Sequence, residues 1–177
     1  MRLAWKRLPI IIAVVPILVP LCSLAEPTVR TIELWRQNTS FLQEDRVRIR
    51  SCVASADTGE KLNGCIHVVR DACLGPQSDE ARSTSLALRM CAWRGIAAWE
   101  DEMSVTIAKL DSTLDSPGRT RLVISQRAWK TSMLADVGLR SGIYSGGSLE
   151  GVTAAETRAD ETASREVFLE EIVQSLD

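Results

Sequence analysis

The chain has 177 residues, with 23 acidic against 21 basic side chains and a single histidine, enough for one ordinary domain with a core of its own. A formal net charge of −2 argues against nucleic acid and anionic membrane as partners, and permits a cationic one.

Residues 1–25 differ in kind from the rest. Arg2, Lys6 and Arg7 precede an apolar run from Leu8 to Leu21, and Ser23-Leu24-Ala25 offers small residues at a cleavage site. This reads as a secretory signal cut after Ala25, followed by a single helical domain over 26–177. The apolar run contains Pro16 and Pro20 and is shorter than the ~20 residues a spanning helix needs, so no stable membrane span is expected. Leu21 before Cys22 argues against acylation there, since that processing wants a small residue. Without the leader the chain keeps 18 basic and 23 acidic groups, a net charge of −5, and a periplasmic location is expected.

Residues 26–40 carry Val29, Ile32, Leu34 and Trp35 without a long pattern, and fit either a short helix or an arm laid on the domain. Residues 41–56 read as helix, although Val47 and Ile49 alternate with Arg46, Arg48 and Arg50 in a way that also suits a strand. Glu44 and Asp45 beside these arginines favour a solvated face over a binding patch. Residues 60–74 read as a second helix stopped by Gly75-Pro76, and 77–82 as a polar loop. The clearest helix follows: Leu88, Ala92, Ile96, Trp99, Met103, Ile107, Leu110 and Leu114 form one stripe, with Arg94, Asp101 and Ser112 on the face expected to meet water. Ser116 as cap and Pro117 at the first position start another helix, continued by Leu122, Gln126, Trp129, Met133 and Val137. The short connection predicts that these two helices form a central antiparallel pair. Four glycines between 138 and 147, around Ile143 and Tyr144, read as a loop. Ser148 then caps a last helix to about Leu176, whose middle, 156–166, is expected to lie partly exposed. The fold class is all-α, a small bundle of about four to five helices.

Four cysteines remain after cleavage. In an exported chain Cys52, Cys65, Cys73 and Cys91 read as two disulfides rather than a zinc site, because the spacings are not CxxC pairs. Cys52 with Cys65 is favoured because Asp57-Thr58-Gly59 at their midpoint is turn-like, which leaves Cys73 with Cys91.

No phosphate loop, nucleophile elbow or zinc-protease motif occurs, and no catalytic residue, metal ligand or cofactor is assigned. His67 with Asp71 one turn later lacks a third group and reads as a surface or partly buried histidine. Gly146-Gly147-Ser148 reads as loop and cap in preference to an anion site. Trp99 and Trp129 lie on the two stripes and are expected in the core. Trp93 sits off the stripe, packed against the first helices or exposed; if exposed, Trp93 and Tyr144 are candidate partner contacts. Gln126, a polar group on an apolar stripe, is expected to bond to backbone of a neighbouring element.

Over roughly residues 91–172 the chain resembles the LprI-like lysozyme-inhibitor family of small exported bacterial helical domains. Gln126-Arg127-Ala128-Trp129 is similar to the family's Gln-Arg-Ala-Trp, and Trp99, Glu100 and Met103 stand where many members have an aromatic, an Asp and a Leu. A family cysteine pair is missing together: one member follows an aromatic and Arg-Asp after the position of Trp129, where this chain has Ser132, Met133, Leu134 and Val137, and the other falls at about Thr157. The resemblance implies a non-enzymatic protein that binds another protein, a lysozyme or a different envelope protein. The alternative is a structural or assembly partner in the envelope.

Overall fold

The computed structural model describes residues 27–56 and 58–176. The expected signal at 1–25, its cleavage after Ala25 and Cys22 lie outside these residues. The described elements are all helical: α1 Pro27–Gln37, α2 Thr39–Ser55, α3 Gly59–Asn63, α4 Val68–Leu74, α5 Asp79–Arg82, α6 Ser85–Thr113, α7 Ser116–Gly142 and α8 Ser148–Leu176. The all-α class follows from the sequence; the larger number of helices comes from breaks in the first half.

Those breaks have local causes. Of the stretch read as a short helix or an arm, Pro27–Gln37 forms a helix, with Pro27 at its first position, where the missing N–H goes unmissed. The alternating arginines lie on a helix, α2, not a strand. The expected helix over 60–74 is two short ones, because the chain turns through Gly64 to deliver a fully buried Cys65 to Cys52. The polar loop after Pro76 contains the one-turn α5, its Ser78 hydroxyl accepting from Ala81 N–H. Cys73 is joined to Cys91, so both cystine pairs match the expected ones.

Helix α7 is capped one residue earlier than expected. Asp115 Oδ1 accepts the Gly118 N–H at 2.7 Å, and Ser116 is already helical. The carboxylate outcompetes the hydroxyl as acceptor for the exposed donors and also favours the positive helix end. At the far end α7 runs through Gly138 to Gly142, deeper into the glycine-rich stretch than expected. Only Gly146, at φ 78°, takes the left-handed conformation that requires glycine.

Long-range packing departs from the expected central pair. Helices α6 and α7 touch each other little; α8 lies along both and is the main partner of each. Pairs such as Glu100 with Arg158 and Thr106 with Glu166 show α6 and α8 running parallel, while Gln126 with Arg165 and Leu122 packed with Leu169 show α7 and α8 antiparallel. An alanine seam makes this possible. Ala155, Ala159 and Ala163 on α8 recur every four residues beside Ala92, Ala97 and Ala98 of α6, so the two helices approach closely. Helices α1, α2 and α4 cover the other side of α6, which is therefore buried nearly all round from Cys91 to Trp99. The middle of α8, expected partly exposed, holds the buried Thr162, Ala163 and Glu166 because it is covered from two sides. A third cluster, Met103, Leu110, Leu122, Leu169 and Val173, joins α6, α7 and α8.

Candidate functional site

The arginines of α2 are tethers to neighbouring carboxylates, and Arg48 and Arg50 at the same time keep much of their side chains in solvent, as expected of a solvated face. Arg46 and Arg50 both bond to Glu102 of α6, Arg50 Nε at 2.8 Å, and Arg46 Nη1 also reaches Asp101 at 2.8 Å. That hydrogen bond to Glu102, together with the charges of Glu102 and Asp101, holds the Arg50 guanidinium above its ordinary pKa against a desolvation cost. Arg48 shares the buried Asp45 with Arg94, which is bidentate, places its guanidinium 4.4 Å from the Phe41 ring centre and does not face water as expected. Glu100 is held by Arg36 from α1 and Arg158 from α8. Three carboxylates, each between two arginines, thus fasten α1, α2 and α8 to α6. A buried or half-buried carboxylate needs such donors, because an unpaired charge there is costly.

The residues singled out by the sequence separate into four roles. Trp99 and Met103 are buried core, and Glu100 belongs to the tether just described. Gln126 and Trp129 meet over Arg165 of α8: Gln126 Oε1 accepts from Arg165 Nε at 2.6 Å, Ser125 Oγ accepts from Nη2 at 2.7 Å, and the guanidinium lies 5.9 Å from the Trp129 ring centre. The partner of Gln126 is therefore a side chain rather than backbone. Arg127 points to the outer, exposed face of α7, beside Val123 and Ile124.

Trp93 is only 9% exposed and packs with Ile32, Trp35 and Met90, so it is not a surface contact. Helix α1, which the sequence left open, is what covers it. His67 stands at the start of α4 beside Asp160, its Nδ1 3.3 Å from Oδ1, rather than with Asp71. Among the described residues no group of three or more His, Cys, Asp or Glu side chains could hold a metal.

Tyr144 is on the surface, and it has company. Leu139, Ile143 and Leu149 are also exposed, Leu139 at 71% and Ile143 at 74%, all around the turn between α7 and α8. Leu139 and Ile143 are four residues apart at the end of α7 and share a helical face. The turn is braced from beneath by the Gly146 N–H donating to Glu150 Oε2 at 2.8 Å. Sequence reasoning found Tyr144 but missed Arg165 and Glu102. The signal for Glu102 was present in the acidic run 100–102 facing arginines at 46, 48 and 50; Arg165 has no local signature.

A family model described as lysozyme inhibitor LprI matches residues 77–169. No curated protein and no solved structure matches the chain.

Proposed function

This chain belongs to the LprI lysozyme-inhibitor family, and on that premise we propose that it is a periplasmic, non-enzymatic protein that acts by binding another protein, with a lysozyme as the target. The matched stretch takes in the whole of α6 and α7 and most of α8. The observation that carries the reading is the apolar tip at the α7–α8 turn. Four large apolar or aromatic side chains, Leu139, Ile143, Tyr144 and Leu149, stand in solvent on a braced turn, which is the composition of a protein contact. An excess of acidic groups in the exported chain supports attraction to a cationic enzyme.

The test is a titration of the chain lacking residues 1–25 into a lysozyme assay. Inhibition is expected, and Ile143→Asp and Tyr144→Ala are expected to weaken it at least tenfold while leaving the melting temperature unchanged. No inhibition at a large molar excess ends the lysozyme reading. Full inhibition by both variants moves the contact away from the tip.

A further inference from the structure

At the end of α7 away from Tyr144, α6 and α7 part from their connection and α8 lies against both. They leave an open groove of about 310 Å³ with an almost wholly apolar lining that includes Leu110, Leu122, Phe168, Leu169 and Ile172. Helix α7 contributes Gly118, Arg121, Leu122 and Ser125 to its wall, and Gly118 has no room for a side chain, a Cβ there meeting Asp115 Oδ1 at 2.8 Å. Its volume is at the lower end of the ~300–1,000 Å³ typical of small-molecule sites, which suits one chain and not two.

Two guanidinium groups stand on its rim, Arg121 and Arg165. Arg165 is half-buried, fixed by Gln126 and Ser125, and stacked 5.0 Å from the Phe168 ring centre. Both of its hydrogen bonds go to neutral oxygens. Among the described residues neither Arg121 nor Arg165 has a carboxylate within salt-bridge distance, in a molecule where Asp45, Glu100 and Glu102 each take two arginines. Burial lowers the pKa of Arg165, and no acid offsets it. A positioned, partly desolvated cation beside an apolar trough lacks its counter-charge.

We propose that this groove binds a single-chain anionic amphiphile, its apolar chain on Leu110, Leu122, Leu169 and Ile172 and its anionic head on Arg165 and Arg121. The site is at the opposite end of α7 from the tip, so it stands or falls independently of lysozyme binding. Arg165 is a positioned binding residue, held by two of its neighbours on α7; Arg121 adds charge at the mouth.

Dodecanoate, kept below its micelle concentration, is the probe, titrated by calorimetry into the chain lacking residues 1–25. Saturable one-to-one binding is expected, with affinity rising about threefold to fourfold for each methylene from octanoate to dodecanoate, the worth of burying one such group. Dodecyltrimethylammonium, with the same chain and opposite charge, is expected to bind at least tenfold more weakly. Arg165→Gln is expected to weaken dodecanoate at least tenfold. Arg121→Gln, at an exposed side chain with no hydrogen bond or salt bridge among the described residues, is expected to weaken it about threefold with no change in melting temperature. Equal affinity for the cationic amphiphile, indifference to both substitutions, absence of saturable binding, or binding only to vesicles of anionic phospholipid each overturns the proposal.

Discussion

Thr106 Oγ1 lies 2.5 Å from Glu166 Oε1 and 2.7 Å from Glu170 Oε1, and a hydroxyl has one hydrogen to give. At least one of the two carboxyl groups must bring its own proton. Glu166 is the one: it is buried, its Oε2 has no hydrogen-bond partner, and burial first, then the negative charges of Glu170 and Glu102, push its pKa from 4.5 up to about 8, against the opposing pull of Thr106. The folded state therefore holds this proton more tightly than the unfolded chain does. The corresponding stability is fully present below about pH 4.5, declines as pH rises, and is lost through about pH 8, with a limiting slope of ~1.4 kcal/mol per pH unit. Urea unfolding between pH 5 and 9 should show this decline, and Glu166→Gln should flatten it and be the more stable protein at pH 8. An equally steep decline in the variant sinks the assignment. In the sequence Glu166 sits among Glu161, Arg165 and Glu170 and looks like surface. Only its register with Ala159, Thr162 and Leu169 marks it as inward.

At the scale of elements, α8 is the helix on which the others depend, and its alanine seam sets how close α6 can come. Ala163 is fully buried between α6 and the α2–α4 side of the core. Ala163→Leu is expected to destabilise the fold by ~1–3 kcal/mol through overpacking, a fall of roughly 2–4 °C in melting temperature per kcal/mol. Ser164→Leu, one residue on and exposed, should change it little. The cystines act on different elements. Cys52–Cys65 closes the α2–α3 turn and Cys73–Cys91 ties α4 to α6, with sequence separations of 13 and 18. Loops of this size constrain the unfolded chain by about 3 kcal/mol each. Replacing Cys73 and Cys91 together by Ser should lose about that much, with amide exchange rising first in α3–α5, the short helices with least burial of their own. Equal loss of protection in α8 counts against a local role for this bond.

For the whole molecule, an average charge hides a polarity. Helix α7 carries Arg119, Arg121, Arg127, Lys130 and Arg140 against the single Asp136, inside a chain that is otherwise strongly acidic. Were a cationic lysozyme the partner, as proposed above, it would be repelled by the outer face of α7 and drawn to the remainder, so that charge would guide it and the apolar tip would hold it. Long-range attraction acts on encounter. Raising ionic strength from ~0.01 to ~0.15 M shortens the screening length from ~30 to ~8 Å, and should slow association severalfold while leaving dissociation nearly unchanged. A salt effect confined to dissociation contradicts this division of labour.

Much of this architecture is written in near-neighbour chemistry. Helical class, the stripes on α6 and α7, the turn before Pro117, the stops at Gly75-Pro76 and the cystine partners are all decided by spacing, caps and breakers within a few residues or one loop. The pairing of stripes is not. Helices α6, α7 and α8 each present an apolar face compatible with either of the other two, and total burial chose α8 as the shared partner because alanines allow the closest approach. The same tertiary choice brought Arg46 and Arg50 of α2 onto Glu102, set Gln126 against Arg165 and buried Glu166. Contacts between residues forty to sixty positions apart have no local periodicity to announce them; they exist only once the helices are placed.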